Sequence, residues 1–389
     1  MSVITVTVGA PAHGGHCIAR HEGRAVFVRH ALPGEVVKAR VDQADDSARF
    51  WNADAIEILQ ASPDRVPHPW PQAGPGGVGG AELGHVALKA QRAWKHAVLT
   101  EAFARFAHLD YPGTVNAVAG DDEAGGLQYR RRVAAVADED GRASMARAGT
   151  RDRVTLTAMP LATPAAEASL LATRAPAGER IEVIETPTGW VHVVHGTRGA
   201  HKILSEKVGD LTYTVTASDF WQVHRGAPDL LVREVLARVG DAQRVLDLYA
   251  GAGLFAMALA ASGRSVTAVE AAHGKGPASL ERNVASYRDA RAIIADTRRT
   301  LEQFARDGED LTDATVVLDP PRSGAKAATI KALTALRPQR VVYVACDPVA
   351  LARDTQDLLA AGYVLDSADA WDLFPMTHHV ETIATFVLP

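Results

Sequence analysis

Arg244-Val-Leu-Asp247-Leu-Tyr249-Ala-Gly251-Ala-Gly253-Leu-Phe-Ala256 is an apolar run that breaks at two closely spaced glycines and resumes as an apolar segment. It reads as strand, tight loop, helix: small residues and backbone N–H groups at the helix start let a ligand approach closely. On its own the loop fits two cofactor classes. With Ala256 as the third small position it satisfies the dinucleotide fingerprint, and Glu270, near the end of the next strand, is placed to accept from a ribose hydroxyl in either case. From about residue 214 to 389, β-type runs alternate with helix-period segments, the rhythm of a doubly wound α/β sheet. Strands are expected at 244–249, 265–269, 292–295, 315–318 and 340–345, with late β segments at 363–370 and 380–388 closing the sheet.

Upstream, the character is different. Residues 1–60 alternate short β runs with glycine, as a small OB-like β-barrel does. Residues 62–80 are rich in proline and glycine and read as a linker. In 88–106, Leu88, Trp94, Val98, Leu99, Ala102, Phe103 and Phe106 recur at helical spacing, predicting a helix that packs one face on a neighbouring unit. From 129 to about 213 short β runs return around a helical insert near 167–174, a mostly antiparallel unit. The expected organisation is therefore barrel (1–60), linker, helix and central β-rich unit (61–213), and catalytic domain (214–389).

The composition is that of an ordinary globular chain of 389 residues. No apolar run approaches the ~20 residues of a membrane span, and the start lacks a signal-peptide pattern, so a cytoplasmic protein without membrane association is expected. A net charge of −5 argues mildly against indiscriminate nucleic-acid binding, but local patches matter more. Gln128-Tyr129-Arg130-Arg131-Arg132 places an aromatic among arginines, as a phosphate-contacting surface does; the competing reading is a solvated face. Two cysteines, Cys17 and Cys346, cannot build a disulfide framework or supply four thiolates to a metal cluster. Cys346 ends the β-branched run 341–345 and precedes Pro348, so it sits at a strand's carboxyl end, where open α/β sheets place their chemistry. A buried small hydrophobe is the alternative.

Four resemblances organise these features. His13-Gly14-Gly15-His16-Cys17-Ile18-Ala19-Arg20, Ala25 to Val28 and Ala31-Leu32-Pro33-Gly34-Glu35 resemble the TRAM module, an RNA-binding barrel in which Cys17 would be buried. The Asp-x-x-x-Gly-x-Gly pattern of Asp247, Gly251 and Gly253 resembles motif I of the class I, Rossmann-like methyltransferases. Asp296 stands where such enzymes commonly contact adenine. Leu318-Asp319-Pro320-Pro321-Arg322 resembles the Asp/Asn-Pro-Pro loop of nucleic-acid methyltransferases. Finally, Asp372-Leu-Phe-Pro375-Met-Thr-His378-His379-Val380-Glu381 resembles the C-terminal motif of the TrmA/RumA-type RNA 5-methyluridine methyltransferases, and Phe220 to His224 falls in the same family order.

That resemblance implies S-adenosylmethionine as cofactor, held by Gln222, Tyr249, Gly251, Gly253, Glu270, Asp296 and Asp319. It implies Cys346 as nucleophile on uracil C6 and Glu381 as acceptor of the C5 proton, because C5 does not take a methyl from a sulfonium unaided. Arg322, after the two prolines, replaces the aromatic that amino-group methyltransferases place there, and with Arg130, Arg131 and Arg132 is expected to contact RNA. Leu254 departs from an asparagine often found at its position. Many relatives carry an iron-sulfur cluster; here Val78-Gly79-Gly80-Ala81 and Met159-Pro160 stand where cysteines would, so no cluster is expected, nor any metal. Asp347 replaces an asparagine beside the nucleophile and would raise the thiol pKa unless a cation offsets it. The expected partner is RNA, ribosomal RNA before the T-loop of tRNA, bound by a monomer. A catalytically weak RNA-binding relative and an NAD-linked dehydrogenase are the competing classes.

Overall fold

The computed structural model describes residues 2–42, 47–196, 198–272 and 276–389. β1 (Val3–Ala12), β2 (His16–His21), β3 (Arg24–Arg29), β4 (Val36–Val41) and β5 (Phe50–Gln60) close into a barrel in the order β1-β2-β3-β5-β4. Alternate residues point inward, so Val6, Val8, Val26, Val28, Val37 and Ala39 form its core. Cys17 lies fully inside it, 3.6 Å from the Ala31 carbonyl.

Helix α1 (Leu88–Ala102) joins two cores: Trp94 and Val98 belong to the barrel cluster, Leu99 and Ala102 to a cluster of the large sheet. The helix expected through 106 is α-helical only to Ala102. It widens into a π turn over Phe103–Ala107 and stops at His108, which is left-handed at φ 56°. The wider turn keeps Phe103 buried against Tyr111, ring centroids 5.1 Å apart, while the chain swings out to the short strand β6 (Val115–Asn116).

The central unit is an antiparallel sheet of β7 (Arg132–Ala137), β8 (Ala143–Ala146), β9 (Arg153–Thr155), β10 (Arg180–Glu185) and β11 (Val191–His195), in the order β11-β10-β7-β8-β9. Helix α2 (Pro164–Ala172), with Pro164 in its first turn and Thr163 as cap, packs on it. Val78, Ala81 and Met159 are buried in one apolar cluster with Trp70, Tyr129 and Met376. Gln72 ties the linker to this unit: its Nε2 donates to the Thr155 carbonyl at 2.9 Å and its Oε1 accepts from Thr157 N–H at 2.9 Å. Packing and side-chain hydrogen bonds hold the linker here. The hairpin β12 (Ile203–Val208) and β13 (Leu211–Thr216) lies at the end of the expected central stretch, yet Leu204, Val208, Tyr213 and Val215 pack in the core of the last domain.

The last domain contains α3 (Ala227–Val239), β14 (Arg244–Leu248), α4 (Leu254–Ala261), β15 (Ser265–Glu270), α5 (Gly276–Val284), β16 (Ala290–Ile294) and α6 (Thr297–Arg306). It continues with β17 (Ala314–Leu318), α7 (Ala327–Ala335), β18 (Arg340–Ala345), α8 (Pro348–Ala360), β19 (Val364–Trp371) and β20 (Glu381–Val387). The sheet order is β16-β15-β14-β17-β18-β20-β19-β6. Strands β14 to β18 are mutually parallel and β20 is antiparallel to both neighbours. Val245 and Val317 face one apolar layer, Leu246 and Val316 the other, so both faces are covered and the strands read as continuous apolar runs. The order reverses between β15 and β17 on either side of β14. A ligand crevice is expected at the carboxyl ends of β14 and β17.

Candidate active site

Several loops converge on one cavity of about 690 Å³ at that switch point, a size suited to a nucleoside-bearing cofactor together with a base. The first loop follows β14. Tyr249 is left-handed at φ 61°, a conformation that costs a non-glycine residue free energy and clusters at functional sites. Gly251 and Gly253 are also left-handed, and a Cβ on Gly253 would sit 3.0 Å from Leu280 Cδ1. Glu270, at the end of β15, accepts from Gly251 N–H at 2.8 Å and so shapes the loop. Asp247 is buried and forms no ion pair among the described residues. Burial, then repulsion from Asp319, pushes its carboxyl well above the ordinary range.

The second loop follows β17. Asp319 lines the cavity with Pro320, Pro321 and Arg322, and burial lifts its carboxyl to about 7. Beyond it, Asp354 of α8 holds the chain: its Oδ2 accepts from Ala325 N–H at 2.7 Å and from the Tyr343 hydroxyl at 2.6 Å.

Strand β18 ends at Ala345, which pairs with Thr382 of β20. The next residue on one side is Cys346 and the preceding residue on the other is Glu381, so this register sets thiol and carboxyl side by side in the cavity wall. Burial raises the Cys346 thiol to about 12; Glu381, Asp319 and Asp347 add to this while Arg322 opposes it. Glu381 is only 4 % exposed, and burial and Asp319 push its carboxyl well above the ordinary range. The segment leading into it is clamped from three sides. Lys95 of α1 pairs with Asp372 and donates to the Phe374 carbonyl at 3.0 Å; Gln91 accepts from Met376 N–H at 2.7 Å; the Tyr129 hydroxyl donates to the Pro375 carbonyl at 3.0 Å.

Of the residues singled out in the sequence, Gln222, Tyr249, Gly251, Asp319, Arg322, Cys346, Glu381 and Arg130 line this cavity. Gly253 and Glu270 support the glycine loop from behind. Asp296 lies outside the wall: it is exposed and caps α6, its Oδ1 accepting from Arg299 N–H at 2.9 Å. The basic surface expected of residues 130–132 reduces to Arg130. Arg131 and Arg132 are buried and face the buried Glu206 at 3.4 and 3.7 Å, and Arg132 also donates to the Asp219 carbonyl at 3.0 Å. Their charge is consumed inside the protein because a buried carboxylate needs partners. Sequence reasoning passed over Phe374 and His379, which line the cavity, the latter 3.4 Å from Arg322 Nη2. The C-terminal motif containing both was the available signal.

The donor set discriminates between cofactor classes. Burial pushes the carboxyls of Asp247, Asp319 and Glu381 up, and Asp319 adds repulsion to the other two; a cationic ligand relieves that repulsion and an anionic pyrophosphate aggravates it. The sulfonium and ammonium of S-adenosylmethionine fit this set, and the pyrophosphate of a dinucleotide does not.

A family model described as tRNA (Uracil-5-)-methyltransferase matches residues 230–387, and the TRAM domain model matches residues 1–48. An uncharacterized RNA methyltransferase of Bifidobacterium longum is 38% identical, with 96% of this chain and 94% of that one covered. The 23S rRNA (uracil(1939)-C(5))-methyltransferase of Shewanella sediminis is 28% identical over 99% of this chain and 96% of that one. Among solved structures, Pyrococcus abyssi tRNA (uracil-54, C5)-methyltransferase in complex with S-adenosyl-L-homocysteine has the same fold. It matches with a TM-score of 0.73 at 21% identity, covering 98% of this chain and 99% of that one.

Proposed function

Since the chain belongs to the TRAM-bearing family of class I RNA (uracil-5-)-methyltransferases, we propose that it forms 5-methyluridine in RNA by covalent catalysis from Cys346. The observation that carries this reading is the β18–β20 register, which sets Cys346 beside Glu381 in the cavity that Asp319 and Tyr249 line. S-adenosylmethionine supplies an electrophilic methyl group; Gln222, Tyr249, the 249–253 loop and Asp319 would hold it, with Asp247 and Glu270 behind.

The rest of the work falls to side chains of this chain. The Cys346 thiolate attacks C6 of the uracil, forming a C–S bond and moving the C5–C6 π electrons into an enolate, so that C5 gains the nucleophilicity it lacks. Once C5 carries the methyl, Glu381 removes its remaining proton. The electrons of that C–H bond rebuild the double bond, and the C6–S bond breaks to return the thiolate. Burial, then repulsion from Asp319, raises the Glu381 carboxyl above its ordinary range, which makes its carboxylate a stronger proton acceptor. Arg322 offsets part of the negative charge that opposes the thiolate.

A uracil stacked inside a duplex cannot present C6 to a thiol in the wall of such a cavity, so the target is a loop or bulge base turned out of its stack. Phe220, 73 % exposed at the cavity wall, offers a face on which a base can stack, and Arg130 and Arg322 offer charge to the flanking phosphates. The substrate we favour is large-subunit ribosomal RNA, modified in the cytoplasm by a monomer, with the T-loop of tRNA second. Mapping 5-methyluridine in rRNA and tRNA with and without the gene tests this. Loss of one rRNA site supports it, loss confined to the T-loop moves the substrate to tRNA, and an unchanged map overturns it.

A further inference from the structure

The turn between β1 and β2, His13-Gly14-Gly15, and the first residue of β2, His16, lie against Glu82, His378 and Asp347, the last two being chain neighbours of the cavity-lining His379 and Cys346. A Cβ on Gly15 would lie 2.5 Å from Glu82 Cγ and 3.4 Å from His378 Cβ, so the barrel approaches this closely only because Gly15 has no side chain. The His13 and His378 rings meet edge to face with centroids 5.8 Å apart, and His378 is paired with Glu82. From this seat His13 Nε2 reaches Asp347 Oδ2 at 3.2 Å. The other oxygen of Asp347, Oδ1, accepts from Ala350 N–H at 2.8 Å and caps α8. Both oxygens of the carboxylate adjoining Cys346 are thereby occupied, one by its own helix and one by the barrel.

We propose that His13 is a positioning residue for the nucleophile: by donating to Asp347 it turns that carboxylate from the thiol and couples thiolate formation to the seating of the barrel. The physical cause is the sign of the charges around Cys346. Glu381 on β20, Asp319 on the Pro-Pro loop and Asp347 on its own turn all disfavour the thiolate, and Arg322 opposes them. Burial disfavours an ionised Asp347, but the His13 contact and the backbone N–H groups of Ala350 and Val349 outweigh it, so its pKa is lowered and it stays charged. A fixed, hydrogen-bonded carboxylate perturbs the thiol less than one free to turn towards it. In this chain, therefore, the aspartate beside the nucleophile and the histidine on the barrel act as a pair.

This inference rests on the reading of Cys346 as nucleophile, and its test does not need RNA. Alkylation of Cys346 by iodoacetamide, followed on its peptide by mass spectrometry at pH 8, reports the thiolate fraction. Cys17, fully buried in the barrel, serves as an internal control for unfolding. The expected result is that His13→Ala slows Cys346 alkylation about 3- to 10-fold. His13→Gln, which keeps a donor, stays within about 2-fold, and Gly15→Ala, which unseats the turn, behaves like His13→Ala. Asp347→Asn speeds alkylation, and adding His13→Ala to it changes nothing further, because the histidine acts only through the carboxylate. Equal rates for wild type and His13→Ala would overturn the proposal, as would an undiminished His13→Ala effect in the Asp347→Asn background. Methyl transfer measured alongside separates the two readings: a wild type that never methylates RNA defeats the function, whereas one that methylates while these rate ratios stay flat defeats only the role of His13.

Discussion

Ala345 of β18 is paired with Thr382 of β20, and this one backbone register brings Cys346 against Glu381. In an all-parallel sheet the carboxyl end of one strand meets only carboxyl ends. Here β20 runs antiparallel, so the start of a strand comes to the end where the chemistry is. The proposed nucleophile and the proposed base, 35 residues apart in sequence, are thereby placed in one wall, one just past the end of β18 and the other at the start of β20.

Cys346→Ala removes the proposed nucleophile and leaves the residues proposed to hold the cofactor in place. Methyl transfer to RNA is expected to fall by at least about 10³-fold while S-adenosylmethionine affinity, measured by calorimetry, changes by less than about 3-fold. Turnover near the wild-type rate would exclude a covalent route.

Asp319, proposed to hold the cofactor, is expected to link that binding to pH-dependent stability. Its folded-state carboxyl, raised to about 7, stays protonated at pH values where the unfolded chain has already ionised. The stabilisation from this group is full below about pH 4 and is lost as pH rises through about 7. Asp319→Asn should therefore raise unfolding stability at pH 8 by about 1–3 kcal/mol, should change it little at pH 4, and should weaken cofactor binding. Calorimetric unfolding at the two pH values checks the sign.

Neighbouring arginines should part company. Arg132→Ala leaves the buried Glu206 with only Arg131 and is expected to cost at least about 2 kcal/mol of stability. Arg130→Ala should leave the melting temperature near wild type, weaken RNA binding, and reduce its salt dependence by about one unit of slope. Thermal melts and filter binding across a salt series separate the two roles.

Lys95 is fully buried against Asp372, at the start of the segment that ends in Glu381. Lys95→Met strands that carboxylate and should cost about 3–5 kcal/mol, whereas Lys95→Met with Asp372→Leu should recover most of it. Chemical denaturation of the single and double variants measures the difference.

What the sequence made legible was local. Apolar runs ending in glycine, proline or cysteine placed β14, β17 and β18 within a residue or so, and the loops at their ends proved to share one cavity. What it hid was pairing at a distance. Arg130, Arg131 and Arg132 look alike in sequence, and only the position of Glu206 decides that two of them turn inward. Asp296 was misplaced for a local reason: a short acidic residue before a helix serves equally as cap or ligand, and here it caps α6. The extension of the large sheet by the two-residue strand β6 depends on the path out of the π turn after α1, and no periodicity encodes it. The contact of His13 with Asp347 joins opposite ends of the chain and had no local signal beyond the glycine pair that permits it.

The central claim is a covalent bond between Cys346 and C6 of a uracil, resolved by Glu381. Its most direct measurement is Glu381→Gln incubated with RNA and S-adenosylmethionine, resolved on a denaturing gel, with the linkage site read by mass spectrometry. A persistent protein–RNA adduct at Cys346 carrying a methylated pyrimidine is predicted, because elimination then lacks its base. Absence of any adduct together with unimpaired formation of 5-methyluridine would contradict the account.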